Sequence, residues 1–216
     1  MKRSSFFFFL FLFPVLKGYS TPPDTTIRGV AVQFTFSRNI FPVSWRDDRI
    51  KANGQAIDPK EVDRSLVIVT KALRKYPAST LQKELRTVYF VKSLEFFGVA
   101  YGGTNSNDAL YLANNGASMG FTDLYLEQTF HHEYSSILYR NHTSWFDEKG
   151  WTAINPSGFI YNDPENGVGA IRNNASSQEL DTLLCKKGFL TQYSQSSLEN
   201  DLNTFAQNLF SPSEGF

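Results

Sequence analysis

The chain has 216 residues, with 21 Lys and Arg against 21 Asp and Glu, so its formal net charge is zero. Such a chain has no basic field to hold nucleic acid or an anionic lipid surface, and 15% aromatic residues against 19% charged ones exclude a disordered polymer. A single cysteine, Cys185, rules out an intramolecular disulfide and every cysteine-rich zinc module, and only three histidines (His131, His132, His142) are present.

Lys2 and Arg3 precede an apolar run from Phe6 to Leu16, followed by Lys17-Gly18-Tyr19-Ser20. A basic start, an apolar stretch of about eleven residues and small residues at the −3 and −1 positions predict a secretory signal over residues 1–20. The run is short of the roughly 20 residues of a transmembrane helix. An uncleaved anchor is the alternative. The mature chain is expected to begin near Thr21, to form one domain over residues 21–216, and to reside in the periplasm, the cell envelope or the exterior without spanning a membrane. In such a compartment a lone Cys185 is a liability unless buried.

Thr21 to Thr26 reads as an extended Pro/Thr leader, and Gly29 to Phe36 alternates apolar and polar residues as a half-buried strand does. Asn39 to Gln55 has no period and reads as loop. Asp58-Pro59-Lys60-Glu61 opens a helix with a cap, a proline at the first helical position and a capping-box glutamate. Val62, Leu66, Val69, Leu73 and Tyr76 follow at helical spacing until Pro77. Arg86 to Val91, Leu94 to Tyr101 and Asp108 to Ala113 read as strands, with turns at Gly102-Gly103 and Asn114-Asn115-Gly116. Asp123 to Arg140 is a long helix with Phe130, Tyr134, Ile137 and Leu138 on its apolar side. Trp145 to Ala170 reads as irregular, Gln178 to Lys186 as a short helix, and Ser196 to Phe210 as a final helix. The sum is an α+β chain with a small mixed sheet packed by helices.

The chemically suggestive stretch is Phe130-His131-His132-Glu133-Tyr134-Ser135-Ser136. In a His-Glu-x-x-His helix two imidazoles at i and i+4 face one metal, and the glutamate acts on the metal-bound water. His132 and Glu133 supply the first two places, but the i+4 position is Ser136, a poor zinc ligand. The last helix carries Glu199 and Asp201. Glu199 reads either as a metal ligand or as the glutamate of a Ser196-Ser197-Leu198-Glu199 capping box. Tyr193 reads either as a donor to a tetrahedral intermediate or as an aromatic packed before the helix. His142 reads either as a replacement ligand or as a loop residue. Trp145-Phe146, Trp151 and Phe159-Ile160-Tyr161 read as packing under a long loop or as a carbohydrate-stacking surface.

Over Leu94 to Phe210 the chain resembles the zinc-binding metallopeptidases of Bacteroidota-type bacteria, a group that includes substrate-import-associated zinc metallohydrolase lipoproteins and is itself similar to the catalytic domain of anthrax lethal factor. The resemblance is carried by Thr129-Phe130-His131-His132-Glu133 with Ile137-Leu138, by Thr191-Gln192-Tyr193 and by Glu199-Asn200-Asp201-Leu202. It implies a zincin-like fold of the gluzincin type and one zinc held by His132 and Glu199. It also implies Glu133 as general base, Tyr193 beside the substrate, and hydrolysis of a peptide or another amide. Members are often encoded near outer-membrane import systems for glycans or peptides, which implies import components as partners.

The chain departs from that pattern at Ser136. It departs again at the acidic ligand, because the seventh position after Tyr193 is Asn200, and Glu199 falls one residue early. One residue is about 100° of helix rotation. Three readings follow: a degenerate member whose cleft binds a peptide or glycan-linked chain without metal, an active zinc-dependent peptidase or amidohydrolase, or a structural envelope protein with no cleft function.

Overall fold

The structure, a computed structural model, describes residues 24–161, 163 and 167–216. The predicted signal, residues 1–20, and the first three residues of the Pro/Thr leader lie outside the described residues. The strands are β1 (Thr25–Ile27), β2 (Val30–Gln33), β3 (Asn53–Gln55), β4 (Thr87–Val91), β5 (Ser93–Phe96), β6 (Val99–Tyr101), β7 (Gly103–Asn105) and β8 (Ala109–Ala113). The helices are α1 (Pro59–Arg74), α2 (Ala78–Glu84), α3 (Asp123–Asn141), α4 (Glu148–Ala153), α5 (Val168–Arg172), α6 (Thr182–Cys185) and α7 (Leu198–Phe210). This is a mixed α+β fold. Among the described residues no helix is long and apolar enough to cross a membrane.

A five-stranded sheet runs in the order β1-β2-β4-β8-β7. β2, β4 and β8 are parallel, and β1 and β7 close the two edges antiparallel. The alternation of β8 explains its central place. Leu110 and Leu112 face the helices together with Val88, Phe90, Leu73, Phe130 and Tyr134. Ala109, Tyr111 and Ala113 face a second core with Phe41, Leu94 and Phe96. A strand buried on both faces reads as a continuous apolar run, and truncating a leucine such as Leu112 to alanine in such a core costs about 2–5 kcal/mol.

Several elements differ from the sequence reading. The extended leader contributes β1, which pairs antiparallel with β2 through Thr25–Val32 and Ile27–Val30. The 39–55 stretch holds two single-turn helices, Arg38–Ile40 and Val43–Trp45, and ends in β3. Leu94 to Tyr101 is a hairpin and not one strand, because Phe97 (φ +54°) and Gly98 (φ +74°) form a left-handed two-residue turn between β5 and β6. These two strands and β3 make a separate three-stranded sheet. Pro77 ends α1 but immediately starts α2, which had no clear apolar period. Asp58 caps α1 as expected, whereas the Glu61 side chain turns to Arg64 (2.5 Å) instead of closing a capping box.

Gly102-Gly103 is not a turn. Gly103 opens β7, the strand nearest α3. A Cβ on Gly103 would stand 2.5 Å from Thr129 Cγ2 and 3.0 Å from Glu133 Oε1, and one on Gly102 would overlap the Tyr125 hydroxyl. The absent side chains let the sheet edge lie directly against the helix. Of the Gln178–Lys186 prediction only Thr182–Cys185 is helical, and Cys185 is exposed.

Candidate functional site

The periodicity of α3 divides its residues between two environments. Leu126, Phe130, Tyr134 and Ile137 enter the core, while Thr129, His132, Glu133 and Ser136, spaced three, one and three residues apart, lie together on another side of the helix. α3 packs along α7, and a cavity of about 700 Å³ opens where β6 and β7, α3 and the 176–179 loop meet. His132, Glu133 and Tyr193 all line it.

His132 is buried, and its Nδ1 donates to Gln207 Oε1 on α7 at 3.0 Å. The Tyr193 ring stacks beside the imidazole, with centroids 6.0 Å apart and planes 25° from parallel. Burial holds the His132 pKa below the usual histidine value, against the raising effect of Gln207, of the Glu199 charge and of a hydrogen bond with the Asn200 side chain. The ring is therefore neutral at pH 7. The same Asn200 side chain bonds to Tyr193, and its Nδ2 donates to Ser196 Oγ at 2.9 Å. Burial pushes the Tyr193 phenol far above its ordinary value, so it stays a donor.

Glu133 is the most perturbed carboxyl of the site. Burial raises its pKa to about 7; a hydrogen bond from Asn105 Nδ2 lowers it, the Glu199 charge raises it and the Arg140 charge lowers it. Those neighbours form a chain. Glu199 Oε1 holds Arg140 Nη1 at 3.1 Å, Arg140 Nη2 bonds Asn105 Oδ1 and Ser106 O, and Asn105 Nδ2 bonds Glu133 Oε2. Arg140 thus fixes which end of the Asn105 amide faces Glu133. Neither Arg140 nor Asn105 stood out in the sequence, since nothing in its spacing marks an amide on an edge strand as a partner of a helix 28 residues on.

The fold therefore brings His132, Glu133 and Tyr193 into one cavity and sorts the remaining candidates. Glu199 lies within electrostatic reach of His132 and Glu133, but its carboxylate is ion-paired to Arg140. The helix phase explains this: the cap of α7 is Ser197, whose side chain accepts from Asn200 N, one residue later than a Ser196 box would have it. Asn200 is thereby turned toward the histidine. Ser136 is buried and accepts from Asn203 Nδ2 at 2.7 Å. His131 belongs to the core, bonded through Nδ1 to Tyr76 Oη at 2.8 Å and stacked on Phe210 at 5.1 Å, with burial lowering its pKa to about 3. His142 bonds Glu84 at 3.0 Å and stacks on Trp145, so it is committed elsewhere.

The aromatic segment expected to be irregular holds α4 and the start of α5, and it packs against α7. Trp151 Nε1 and Tyr161 Oη both donate to Asp201 Oδ2, at 3.1 and 2.7 Å, and Phe159 lies 4.5 Å from Phe189. Burial raises the Asp201 pKa to about 6 against those two donors. Gly167, at φ +99°, sits so close to Tyr193 and Asn200 that a Cβ there would overlap the tyrosine hydroxyl. The 167–179 segment thus covers the site at one end and lines the cavity at the other.

The donor set does not fit zinc. The positions at which the resemblance expects ligands carry His132, Ser136 and Asn200: one imidazole, one hydroxyl already accepting a hydrogen bond and one neutral amide. Structural and catalytic zinc sites use three or four imidazole, thiolate or carboxylate donors, and among the described residues no group of three such side chains converges. No family model matches the chain, and no curated protein or solved structure matches it either.

Proposed function

We propose that the chain is a secreted or envelope protein of zincin-like, metallopeptidase-like fold whose cleft binds an extended peptide or glycan-linked chain without zinc. The observation that carries this reading is the exchange of ligand chemistry at one site. His132 is bonded at Nδ1 to Gln207 and also meets the Asn200 side chain, while Ser136 and Asn200 occupy the other two places as neutral groups with protein partners of their own. The edge position of β7 along the cavity supports an extended ligand, because an edge strand offers backbone donors and acceptors to an added chain.

The test is metal analysis of the purified protein after dialysis against excess zinc. No stoichiometric zinc is expected. One zinc per chain, lost in His132→Ala, overturns the reading. One observation favours the alternative, an active peptidase with Glu133 as general base: a buried carboxyl with pKa about 7 facing a cavity is suited to accept a proton near neutral pH. The same dialysis separates the two, because the peptidase needs the metal.

A further inference from the structure

A second cavity lies on the face of the large sheet turned away from His132, between β4, β8 and the Arg38–Arg46 loop, with a volume of about 570 Å³. That volume is in the range of small-molecule sites. Its floor is a pair of tyrosines from adjacent strands, Tyr89 and Tyr111, with rings 5.1 Å apart and only 7° from parallel. Tyr111 is buried and Tyr89 half-buried, and both line the cavity, so Tyr89 is the ring of the pair with surface left accessible. Trp45 stands against Tyr111 at 5.7 Å and 55°, forming a wall.

The loop that closes this pocket is ordered by its own bonds. Tyr111 Oη donates to Ile40 O at 2.8 Å, Arg46 Nη1 to Asn39 Oδ1 at 2.6 Å, and Arg38 to Ala52 O and Arg46 O, both at 3.3 Å. A long, structured connection in a compact domain is more often functional than incidental. The rim is polar but not one-signed: Arg86 Nε pairs with Asp108 Oδ2 at 3.0 Å beside Asn39. An anion would find Arg86 already answered by a carboxylate, and a cation would find Asp108 answered. A hydroxyl, which both donates and accepts, suits such a pair. An aromatic face with a negative quadrupole suits the weakly positive C–H face of a sugar ring.

We propose that this pocket binds a pyranose ring of a neutral saccharide, stacked on Tyr89 and hydrogen-bonded at the Arg86–Asp108 rim. The site is independent of the His132 cleft and of how that cleft is read.

The test is isothermal titration of the full mature chain with cellohexaose, xylohexaose and chitohexaose. At least one binds. Tyr89→Leu, which keeps bulk and removes the ring, weakens it about tenfold, the scale of a lost aromatic contact. Arg86→Ala, at an exposed side chain that the fold does not need, weakens it as well, so a folding defect in the tyrosine variant leaves the proposal testable. The proposal is overturned if none of the three saccharides binds or if both pocket variants retain wild-type affinity.

Discussion

Glu133 should make the fold less stable as the pH rises, and the size of the effect follows from its surroundings. Its carboxyl is pushed from an ordinary 4.5 to about 7 in the folded chain, chiefly by burial. The folded state then binds the proton more tightly than the unfolded state does. Stability from this group is complete below pH 4.5 and is lost as the pH passes through 7. Integrating between pH 5 and pH 8 gives a loss of about 2.5 kcal/mol. Asp201, raised to about 6 from 3.8, acts in the same direction over a lower window. His131 and His132 act oppositely: burial depresses their pKa values, so their stabilisation is lost as the pH falls. The wild-type profile is therefore a dome, and only a difference isolates Glu133. Glu133→Gln keeps an oxygen for Asn105 Nδ2 and cannot ionise. Urea denaturation at pH 5 and pH 8 should show the variant gaining about 2.5 kcal/mol on the wild type between the two. An equal difference at both pH values would refute the burial argument.

Other expectations follow from the same contacts. Arg140→Met removes the charge that lowers the Glu133 pKa and releases the Asn105 amide, so a carbon-13 titration of the Glu133 carboxyl should move further above 7; an unchanged titration would disconnect the chain of bonds. Ser136→His combined with Asn200→Glu should let the protein retain one zinc per chain in a His132-dependent manner, measured by metal analysis after dialysis, because the two side chains already lie beside the right helix faces. Gly103→Ala should cost about 1–3 kcal/mol in thermal denaturation, since its Cβ would meet Thr129 at 2.5 Å and Glu133 at 3.0 Å. An unaltered Tm would mean that β7 can move off the helix freely.

The elements that read well from sequence are those with a long period or a dense apolar run. α3, α7, β4 and β8 stood where Phe130-Tyr134-Ile137, Leu198-Leu202 and the Val88 and Leu110 stretches put them. His132, Glu133 and Tyr193 were legible as cavity residues, because a helix period and a short motif constrain them. Glu199 was not legible in the same way. Its role turned on whether Ser196 or Ser197 caps α7, a shift of one residue that rotates each following side chain by about 100°. Gly102-Gly103 misled for a different reason: glycine serves close approach as well as turning, and only the packed partner tells the two apart. Gln207, Asn203, Asn105 and Arg140 act through contacts between separate elements, which leave no local signature.

The Ser136–Asn203 bond also governs how easily the site can change by mutation. Ser136→His alone would strip Asn203 Nδ2 of its buried acceptor, while its Oδ1 already lacks a partner among the described residues. Asn200→Glu alone would set another carboxylate next to Glu199 in the chain and take the Nδ2 donor from Ser196. Each single step is costly, and the two are useful only together with a metal. Hydrogen bonding between α3 and α7 thus acts as a ratchet: it places a fitness valley between the present polar seam and any metal-binding descendant.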